Sequence, residues 1–274
     1  MKKKSFITMI LMALLVFNFA SAQPKTASKK MSIQTKSITY TIGNQSFKGY
    51  LAWKGDGKAL KPGILVIHEW WGFNEYIRMR TEMLANLGYV ALAVDMYGDG
   101  KVYDSAQEAQ QAAGFIFSHP DILKERITKG YEVLASQKMV DKKHIGAVGY
   151  CFGGTVALNA AAMGIPLQAI AIFHGGLNGF KASPLMKDTK VLICNGGADK
   201  FVSAEDVDNF KNEMNKYGIT YEFKSYEGAT HAFTNKYSTE AGKKFNMPIA
   251  YNEAADKASW QDMKAFFQKY FPAK

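Results

Sequence analysis

Residues 149–153, with the sequence GYCFG, place a cysteine between a strand pattern and a helix pattern. Residues 144–148 before it are typical of a short buried strand, and the small residues at 154–163 are typical of a helix. A turn this tight strains the backbone and needs glycine on both sides, because a Cβ atom would clash there. The helix N-terminus favours a thiolate and a developing oxyanion. The motif predicts that Cys151 is a nucleophile; the alternative is a buried cysteine among chance glycines.

An acidic residue and a histidine follow the cysteine, each just after a strand pattern. Residues 190–195 form one such pattern ahead of Asp199, and residues 221–226 form another ahead of His231. Nucleophile, acid, histidine is the order of α/β-hydrolase triads, and such sites lie at the carboxyl edge of an open α/β sheet. We predict a triad in which His231 moves the thiol proton of Cys151 and Asp199 orients the imidazole.

The remaining histidines suit structural positions better than a metal site. His119 precedes a proline in a predicted loop, His144 opens a strand, and His174 begins a glycine turn after a strand. His68 belongs to the motif HEWWG at residues 68–72. Neither an H-E-x-x-H motif nor a Cys/His cluster is present, so we expect no metal ion and no other cofactor.

Five motifs occur in a fixed order along the chain: HEWWG, VDMYG, GYCFGG, GGAD and THAF. On these motifs the sequence resembles the dienelactone hydrolase family of α/β hydrolases from about residue 38 to the C-terminus. The resemblance implies a hydrolase that cleaves an ester or a lactone through a cysteine acyl-enzyme. It implies that Glu69 lies beside Cys151 and takes part in activating it. It also assigns the oxyanion hole to the backbone N–H groups of Trp70 and Phe152.

Strand and helix patterns alternate along the chain. We predict strands at residues 37–42, 47–53, 64–67, 89–94, 145–148, 169–173, 191–193 and 221–226. We predict helices at residues 74–87, 105–117, 121–137, 154–163, 203–217 and 252–270. This alternation predicts a doubly wound, mostly parallel sheet of about eight strands, with helices on both faces and the first pair as an antiparallel edge. The resemblance implies that this sheet belongs to an α/β-hydrolase fold. The length suits one domain, at residues 37–274.

The N-terminus has the pattern of a secretory signal peptide over residues 1–22. Three lysines precede an apolar run, and the sequence ASA at residues 20–22 offers a cleavage site. A membrane anchor is the alternative, but the apolar run is short for a spanning helix. We therefore expect a secreted or periplasmic protein without stable membrane insertion after cleavage. Its mature chain would begin with a basic, flexible leader at residues 23–36.

Loss of the three N-terminal lysines lowers the formal net charge from +10 to +7. Charged residues after position 36 are dispersed and form no stripe of basic and aromatic side chains. The excess of positive charge therefore favours solubility or association with the cell envelope over nucleic-acid binding. The sequence leaves the oligomeric state open.

The chain has two cysteines, Cys151 and Cys194. An exported protein reaches an oxidising compartment in which the two could form a disulfide. Such a bond would occupy the predicted nucleophile and tie two strand ends together. We therefore expect Cys194 to be a small buried apolar residue, and Cys151 to be a free thiol that is open to oxidation.

The arginines distinguish this chain from family members that act on carboxylated lactones. Those enzymes use arginines in the helix before the nucleophile and shortly after the histidine, whereas this chain has only Arg78, Arg80 and Arg126. We expect a less charged small-molecule ester or lactone in an aromatic pocket. The candidate pocket residues are Trp71, Phe73, Tyr97 and Tyr150. The alternative for each of them is packing in the core.

Two other functions stay open at this point. A thioesterase or a peptidase would use the same scaffold and triad, because these features do not select the leaving group. A non-catalytic protein that binds a small molecule would keep the pocket without turnover.

Overall fold

The computed structural model describes residues 32–271, and this part of the chain contains one eight-stranded sheet and seven α-helices. The strands are β1 (Ile33–Ile42), β2 (Gln45–Lys54), β3 (Lys61–Ile67), β4 (Val90–Val94), β5 (Val140–Tyr150), β6 (Ala169–Phe173), β7 (Lys190–Gly196) and β8 (Tyr221–Tyr226). The helices are α1 (Glu75–Asn86), α2 (Ala106–Ser118), α3 (Pro120–Ala135), α4 (Phe152–Ala162), α5 (Ala204–Lys216), α6 (Ser238–Phe245) and α7 (Glu253–Tyr270). A 3₁₀ helix spans Pro184–Met186.

The strand order is β1-β2-β4-β3-β5-β6-β7-β8, antiparallel at the β1 edge and parallel from β4 to β8. Every residue of β4 and β6 is buried, whereas β1 is mostly exposed. Central strands are buried because helices cover both faces of a parallel sheet. The doubly wound α/β-hydrolase fold with an antiparallel first pair is therefore confirmed.

The helices divide between the two faces of the sheet. On one face, α1 and α7 contribute Ile77 and Phe267 to a single apolar cluster. On the other face, α3, α4 and α5 contribute Ile127, Val156 and Phe210 to a second cluster. The parallel strands between these layers end at one common edge, which leaves their carboxyl ends accessible to loops.

Four predicted helix starts coincide with the residue that caps the helix. The side chains of these residues accept hydrogen bonds from backbone N–H groups of the first turn: Asn74, Ser105, Ser203 and Asn252. A cap of this kind satisfies an N–H group that has no partner inside the helix. Capping chemistry is local, so the sequence alone locates these four starts within one residue.

Three elements differ most from the sequence prediction. β1 begins at Ile33, inside the predicted flexible leader, because its backbone pairs with β2 as far as Lys54. β5 begins at Val140, since its first residues pair with the start of β3. α6 lies where no element is predicted, because its eight residues are shorter than the window over which helical periodicity is counted.

The predicted signal peptide at residues 1–22, and the leader as far as residue 31, lie outside the described residues. Between residues 32 and 271, none of the helices combines the length and the apolar composition needed to cross a membrane.

Candidate active site

Cys151 lies in a tight turn between the end of β5 and the first residue of α4. Its φ of 52° is in the left-handed region, a strain of about 1–3 kcal/mol for a residue with a side chain. A Cβ atom at position 149 would lie 2.1 Å from the carbonyl oxygen of Gly153. A Cβ atom at position 153 would lie 2.3 Å from that of Ile67. Both glycines are therefore required, and the turn has the geometry that the motif predicts.

The side chains of Cys151, His231 and Asp199 meet at the carboxyl edge of the sheet. Asp199 follows β7 and His231 follows β8, so two adjacent parallel strands bring them to the same place. Nε2 of His231 lies 3.0 Å from Sγ of Cys151, and Nδ1 lies 2.8 Å from Oδ2 of Asp199. The other carboxylate oxygen of Asp199 accepts a hydrogen bond from the backbone N–H of Phe201 at 2.8 Å. Sulfur, imidazole and carboxylate thus have the geometry of a triad.

The surroundings of His231 favour its charged form. Burial acts to lower the pKa of His231, but the charge of the Cys151 thiolate and the hydrogen bonds to Asp199 and Cys151 raise it to about 10. Because the contact with Asp199 holds Nδ1, the other ring nitrogen, Nε2, faces the sulfur. This nitrogen is placed to hold a proton beside a thiolate and to transfer it to a leaving group.

Glu69 is 2% exposed and lines the same cavity as Cys151 and His231. Its Oε2 accepts a hydrogen bond from Nδ2 of Asn235 at 2.6 Å, whereas Oε1 has no partner in the described part of the chain. Burial raises the pKa of Glu69 to about 7, against the opposing effects of the Asn235 hydrogen bond and the charge of His231. Glu69 therefore changes its protonation near neutral pH. In this structure the sulfur is hydrogen-bonded to His231.

The two predicted oxyanion amides come from neighbouring segments. Phe152 is the first residue of α4, so its N–H is one of those without a partner inside the helix. Trp70 lies in a turn closed by a 3.1 Å hydrogen bond from the N–H of Gly72 to the carbonyl oxygen of Glu69. The side chain of Tyr97 supports this turn, since its hydroxyl donates to the carbonyl oxygen of Trp70 at 3.0 Å.

A cavity of about 400 Å³ opens beside Cys151 and His231. We call it the cysteine cavity. Its other lining residues are Glu69, Trp70, Trp71, Gln110, Phe201, Ala232, Met247, Pro248 and Ile249. The predicted pocket residue Trp71 is among them. Residues 247–249 were not predicted to line a pocket, because loops bring them to the site from elsewhere in the chain. Its mostly apolar walls suit an uncharged group.

The other three predicted pocket residues do not line the cysteine cavity. Tyr150 is fully buried and stacks on Phe173, at a ring separation of 4.9 Å. Phe73 is buried in the same apolar cluster, on the α1 and α7 face of the sheet. Tyr97 packs behind the cavity against Phe152. Nearness in sequence to Cys151 or Trp71 therefore does not by itself bring a side chain into this cavity.

His174 holds the nucleophile turn, a role that the sequence did not reveal. The backbone N–H of Cys151 donates to Nδ1 of His174 at 3.1 Å and to the carbonyl oxygen of Phe173 at 3.0 Å. Burial, followed by the charges of His231 and Arg80, holds the pKa of His174 well below its ordinary value. A neutral imidazole can accept at Nδ1. The only sequence signal is that His174 follows β6, the strand paired with β5.

A buried polar chain continues from His174 toward α1 and α7. Nε2 of His174 lies 2.7 Å from Oγ1 of Thr234, which lies 2.6 Å from the hydroxyl of Tyr76. Nε of Arg80 donates to that hydroxyl at 3.2 Å, and Nη2 of Arg80 lies 2.6 Å from Oδ1 of Asp256. The position of Cys151 is thereby linked to the packing of both helices.

The three arginines are engaged away from the cysteine cavity. Arg80 forms the buried ion pair with Asp256. Arg126 donates to a backbone carbonyl at 2.6 Å, and Arg78 lies over aromatic rings at 5.3 and 5.6 Å. A substrate carboxylate in this cavity would therefore have no guanidinium partner from these residues.

The remaining histidines and the second cysteine have structural contacts. His68 accepts a hydrogen bond at Nε2 from a backbone N–H at 3.1 Å, His144 lies 3.1 Å from Asp141, and His119 is exposed where α2 meets α3. Cys194 is fully buried and not disulfide-bonded. Burial raises the pKa of its thiol to about 12. Within residues 32–271, no group of three or more His, Cys, Asp or Glu side chains is placed to hold a metal ion.

The fold, the strained cysteine turn and the adjacent histidine and carboxylate define an α/β hydrolase. The model of the dienelactone hydrolase family matches residues 47–271. The chain belongs to this family and is one of its hydrolases.

Proteins with related sequences and structures agree with this assignment. The chain is 27% identical to Protein usf of Aquifex pyrophilus, over 81% of this chain and 93% of that protein. It is 26% identical to a putative carboxymethylenebutenolidase of Synechocystis sp., over 87% of this chain and 98% of that protein. The solved structure of m3DLH is 32% identical, with a TM-score of 0.81, over 87% of this chain and 99% of that chain. A dienelactone hydrolase-like promiscuous phosphotriesterase from metagenomic libraries is 30% identical, with a TM-score of 0.82 and the same coverage.

Proposed function

We propose that this hydrolase cleaves an ester or lactone without a carboxylate group, through an acyl-enzyme on Cys151. The observation that carries the proposal is the 3.0 Å contact between Sγ of Cys151 and Nε2 of His231 at an apolar cavity of about 400 Å³. The family and the relative named as a putative carboxymethylenebutenolidase support an ester or lactone as the substrate class.

In the first half-reaction the thiolate of Cys151 attacks the carbonyl carbon and forms a C–S bond. The carbonyl π electrons move to the oxygen, and the backbone N–H groups of Trp70 and Phe152 stabilise the resulting oxyanion. When the carbonyl re-forms, the C–O bond to the leaving group breaks, and Nε2–H of His231 protonates the leaving oxygen. Asp199 stabilises the imidazolium until that transfer.

In the second half-reaction a water molecule attacks the thioester carbonyl, and Nε2 of His231 accepts its proton. The C–S bond then breaks, the acid is released, and the thiolate of Cys151 re-forms beside the imidazolium of His231. Ring-opening of a lactone follows the same steps, except that the alcohol stays attached to the acyl group.

Glu69 has an auxiliary role in this proposal. Its carboxyl group lies in the cavity with the reacting sulfur, and its pKa of about 7 lets it exchange a proton near neutral pH. A neutral Glu69 avoids repulsion of the thiolate, whereas a charged Glu69 supports the imidazolium of His231. The protonation of one side chain thereby adjusts the state of the nucleophile.

Mass spectrometry of an acid-quenched reaction tests the acyl-enzyme. With p-nitrophenyl butanoate, the peptide that contains Cys151 should gain the mass of one butanoyl group, and Cys151→Ala should gain none. Turnover without an acylated intermediate, or acylation at another residue, contradicts the proposal.

A matched pair of lactones tests the charge preference. A neutral lactone should have a kcat/KM about tenfold above that of its carboxylated counterpart, because the carboxylate loses hydration without a guanidinium partner. A strong, salt-sensitive preference for the carboxylate would show that a lysine replaces the arginines of the family.

We also propose that the chain is exported and cleaved after residue 22, on the signal-peptide pattern of residues 1–22. Expression of the full chain in a Gram-negative host, followed by N-terminal sequencing of the periplasmic fraction, should give a chain that begins at Gln23. A full-length product confined to the cytoplasm contradicts export.

A further inference from the structure

A second cavity of about 470 Å³ adjoins the cysteine cavity. The two cavities share four lining residues: Glu69, Trp71, Ala232 and Ile249. We call the second one the acidic cavity. Its own lining comes from α1, the segment 102–104 and α6. The two cavities are therefore neighbours at the wall that these four residues form.

Two buried polar atoms of the acidic cavity have no hydrogen-bond partner in the described part of the chain. They are Oε1 of Glu69 and Oγ of Ser238, on side chains that belong to residues 2% and 3% exposed. Buried polar atoms are almost always paired, and one without a partner marks a place where a ligand can supply it. A carboxylate oxygen accepts hydrogen bonds, and a hydroxyl both donates and accepts them. A ligand that donates can therefore pair with both atoms.

The charge of the acidic cavity also favours a ligand that donates hydrogen bonds and carries a positive charge. Glu75, Asp104 and Glu240 line it together with Glu69. Of the two nearby cations, Lys244 lines the cavity and Lys243 pairs with Glu240 at 2.9 Å. The ammonium of Lys244 lies over a neighbouring phenylalanine ring at 4.8 Å. This excess of carboxylates occurs in a chain whose formal net charge is +10, so it is local and opposite in sign to the whole.

Aromatic rings supply the remaining walls. Trp71 and Phe245 pack together with ring centroids 5.4 Å apart, and Tyr76, Tyr103 and Tyr237 also line the space. Faces of aromatic rings attract cations, most strongly where water is excluded. Carboxylates and aromatic rings around two unpaired acceptors form the surroundings that a protonated amine requires.

We propose that the acidic cavity binds a protonated amino group of the substrate whose reacting carbonyl lies at Cys151. This inference rests on the proposed function and names its substrate class as amino esters or amino lactones. The ammonium donates to Oε1 of Glu69 and to Oγ of Ser238, and the acidic rim excludes carboxylated analogues. The ammonium also favours the charged form of Glu69, which couples recognition of the amine to the state of the nucleophile.

Matched ester pairs test the proposal with the amine in either part of the substrate, the acyl arm or the alcohol arm. In the acyl arm, p-nitrophenyl 6-aminohexanoate is compared with p-nitrophenyl heptanoate, after subtraction of uncatalysed hydrolysis. In the alcohol arm, 2-(dimethylamino)ethyl butanoate is compared with 3-methylbutyl butanoate in a pH-stat. We expect the amine to raise kcat/KM about tenfold in at least one arm, equivalent to one charge-assisted hydrogen bond. Equal kcat/KM in both arms overturns the proposal.

Ser238→Ala is the most specific variant, because the hydroxyl of Ser238 has no hydrogen-bond partner in the described part of the chain and its removal breaks no hydrogen bond there. The ratio of amino-ester to neutral-ester kcat/KM should fall about threefold or more in Ser238→Ala and in Asp104→Asn. Glu125→Gln makes a similar change on the exposed surface of α3 and should leave the ratio unchanged. An unchanged ratio in both cavity variants contradicts the site. If no ester pair shows turnover that depends on Cys151, the proposed function fails instead.

Discussion

The two cysteines of this chain lie close to the carboxyl ends of strands in the same sheet and have opposite chemical surroundings. Cys151 lies beyond the end of β5, at the start of α4, with His231 at 3.0 Å. Cys194 lies within β7, fully buried in the apolar cluster under α1 and α7. Its sulfur contacts the hydroxyl of Tyr226 at 3.5 Å.

This difference teaches that the surroundings of the sulfur decide the function of each cysteine. A helix N-terminus and an imidazolium favour a thiolate, whereas an apolar core favours the neutral thiol. The sheet carries both cysteines to the same layer of the molecule. The strained turn removes only Cys151 from the strand and presents it to a cavity.

The largest expected difference is in turnover. Cys151→Ala should lower kcat for p-nitrophenyl butanoate at least about a thousandfold, because the proposed acyl-enzyme forms on the sulfur that this change removes. Cys194→Ala is the matched control and should keep kcat while it lowers the free energy of unfolding by about 1 kcal/mol. Near-wild-type turnover in Cys151→Ala, with the fold confirmed by circular dichroism, would place the nucleophile elsewhere.

The second largest difference should be in the rates at which the two thiols are alkylated. With a pKa of about 12, only about one Cys194 thiol in 10⁵ is ionised at pH 7. Iodoacetamide should therefore modify Cys151 first, and peptide mass spectrometry with time should show Cys194 modified only after the protein unfolds. Earlier labelling of Cys194, or a disulfide between the two cysteines in active protein, contradicts the assignment.

Substitution of His174 should have a smaller effect on kcat, because this side chain positions the backbone of Cys151. His174→Leu removes the acceptor for the backbone N–H of Cys151 and should lower kcat about tenfold to a hundredfold, with little change in KM. His174→Asn can place an oxygen near the former Nδ1 and should restore part of kcat. If both variants lose the same kcat and the same thermal stability, His174 only fills space in the core.

Glu69 should affect the pH dependence of the thiol. Its pKa of about 7 predicts a step in the alkylation rate of Cys151 between about pH 6 and 8. Glu69→Gln stays neutral and should remove that step and lower ester turnover about tenfold. A profile that keeps the step in the variant would exclude Glu69 from control of the nucleophile.

The same carboxyl group should change stability with pH. Burial raises the folded pKa of Glu69 from 4.5 to about 7, so the folded state binds more protons than the unfolded state in that interval. The free energy of unfolding should therefore fall as pH rises from about 4.5 to 7, by up to about 3 kcal/mol relative to Glu69→Gln. Urea denaturation of both proteins at pH 5 and pH 7 measures this difference.

Much of the fold was predictable because its signals are local. Buried parallel strands are continuous apolar runs, and β6 and β8 have the predicted bounds. Capping residues such as Asn74 mark helix starts, and glycines mark the strained turn. Strand ends located Asp199 and His231 relative to Cys151, since the carboxyl ends of parallel strands share one edge.

The sequence by itself determined the strands, the tight turn at Cys151 and the strand ends that carry Asp199 and His231, because each is marked by a pattern of neighbouring residues. The tertiary structure decided which side chains surround that turn. Tyr150 adjoins Cys151 in sequence but points into the core, whereas Ile249 comes from a distant loop and lines both cavities. His174 and Ser238 acquire their surroundings from segments far away in the sequence. The physical reason is that side-chain direction and burial depend on packing between distant segments, which no local pattern encodes.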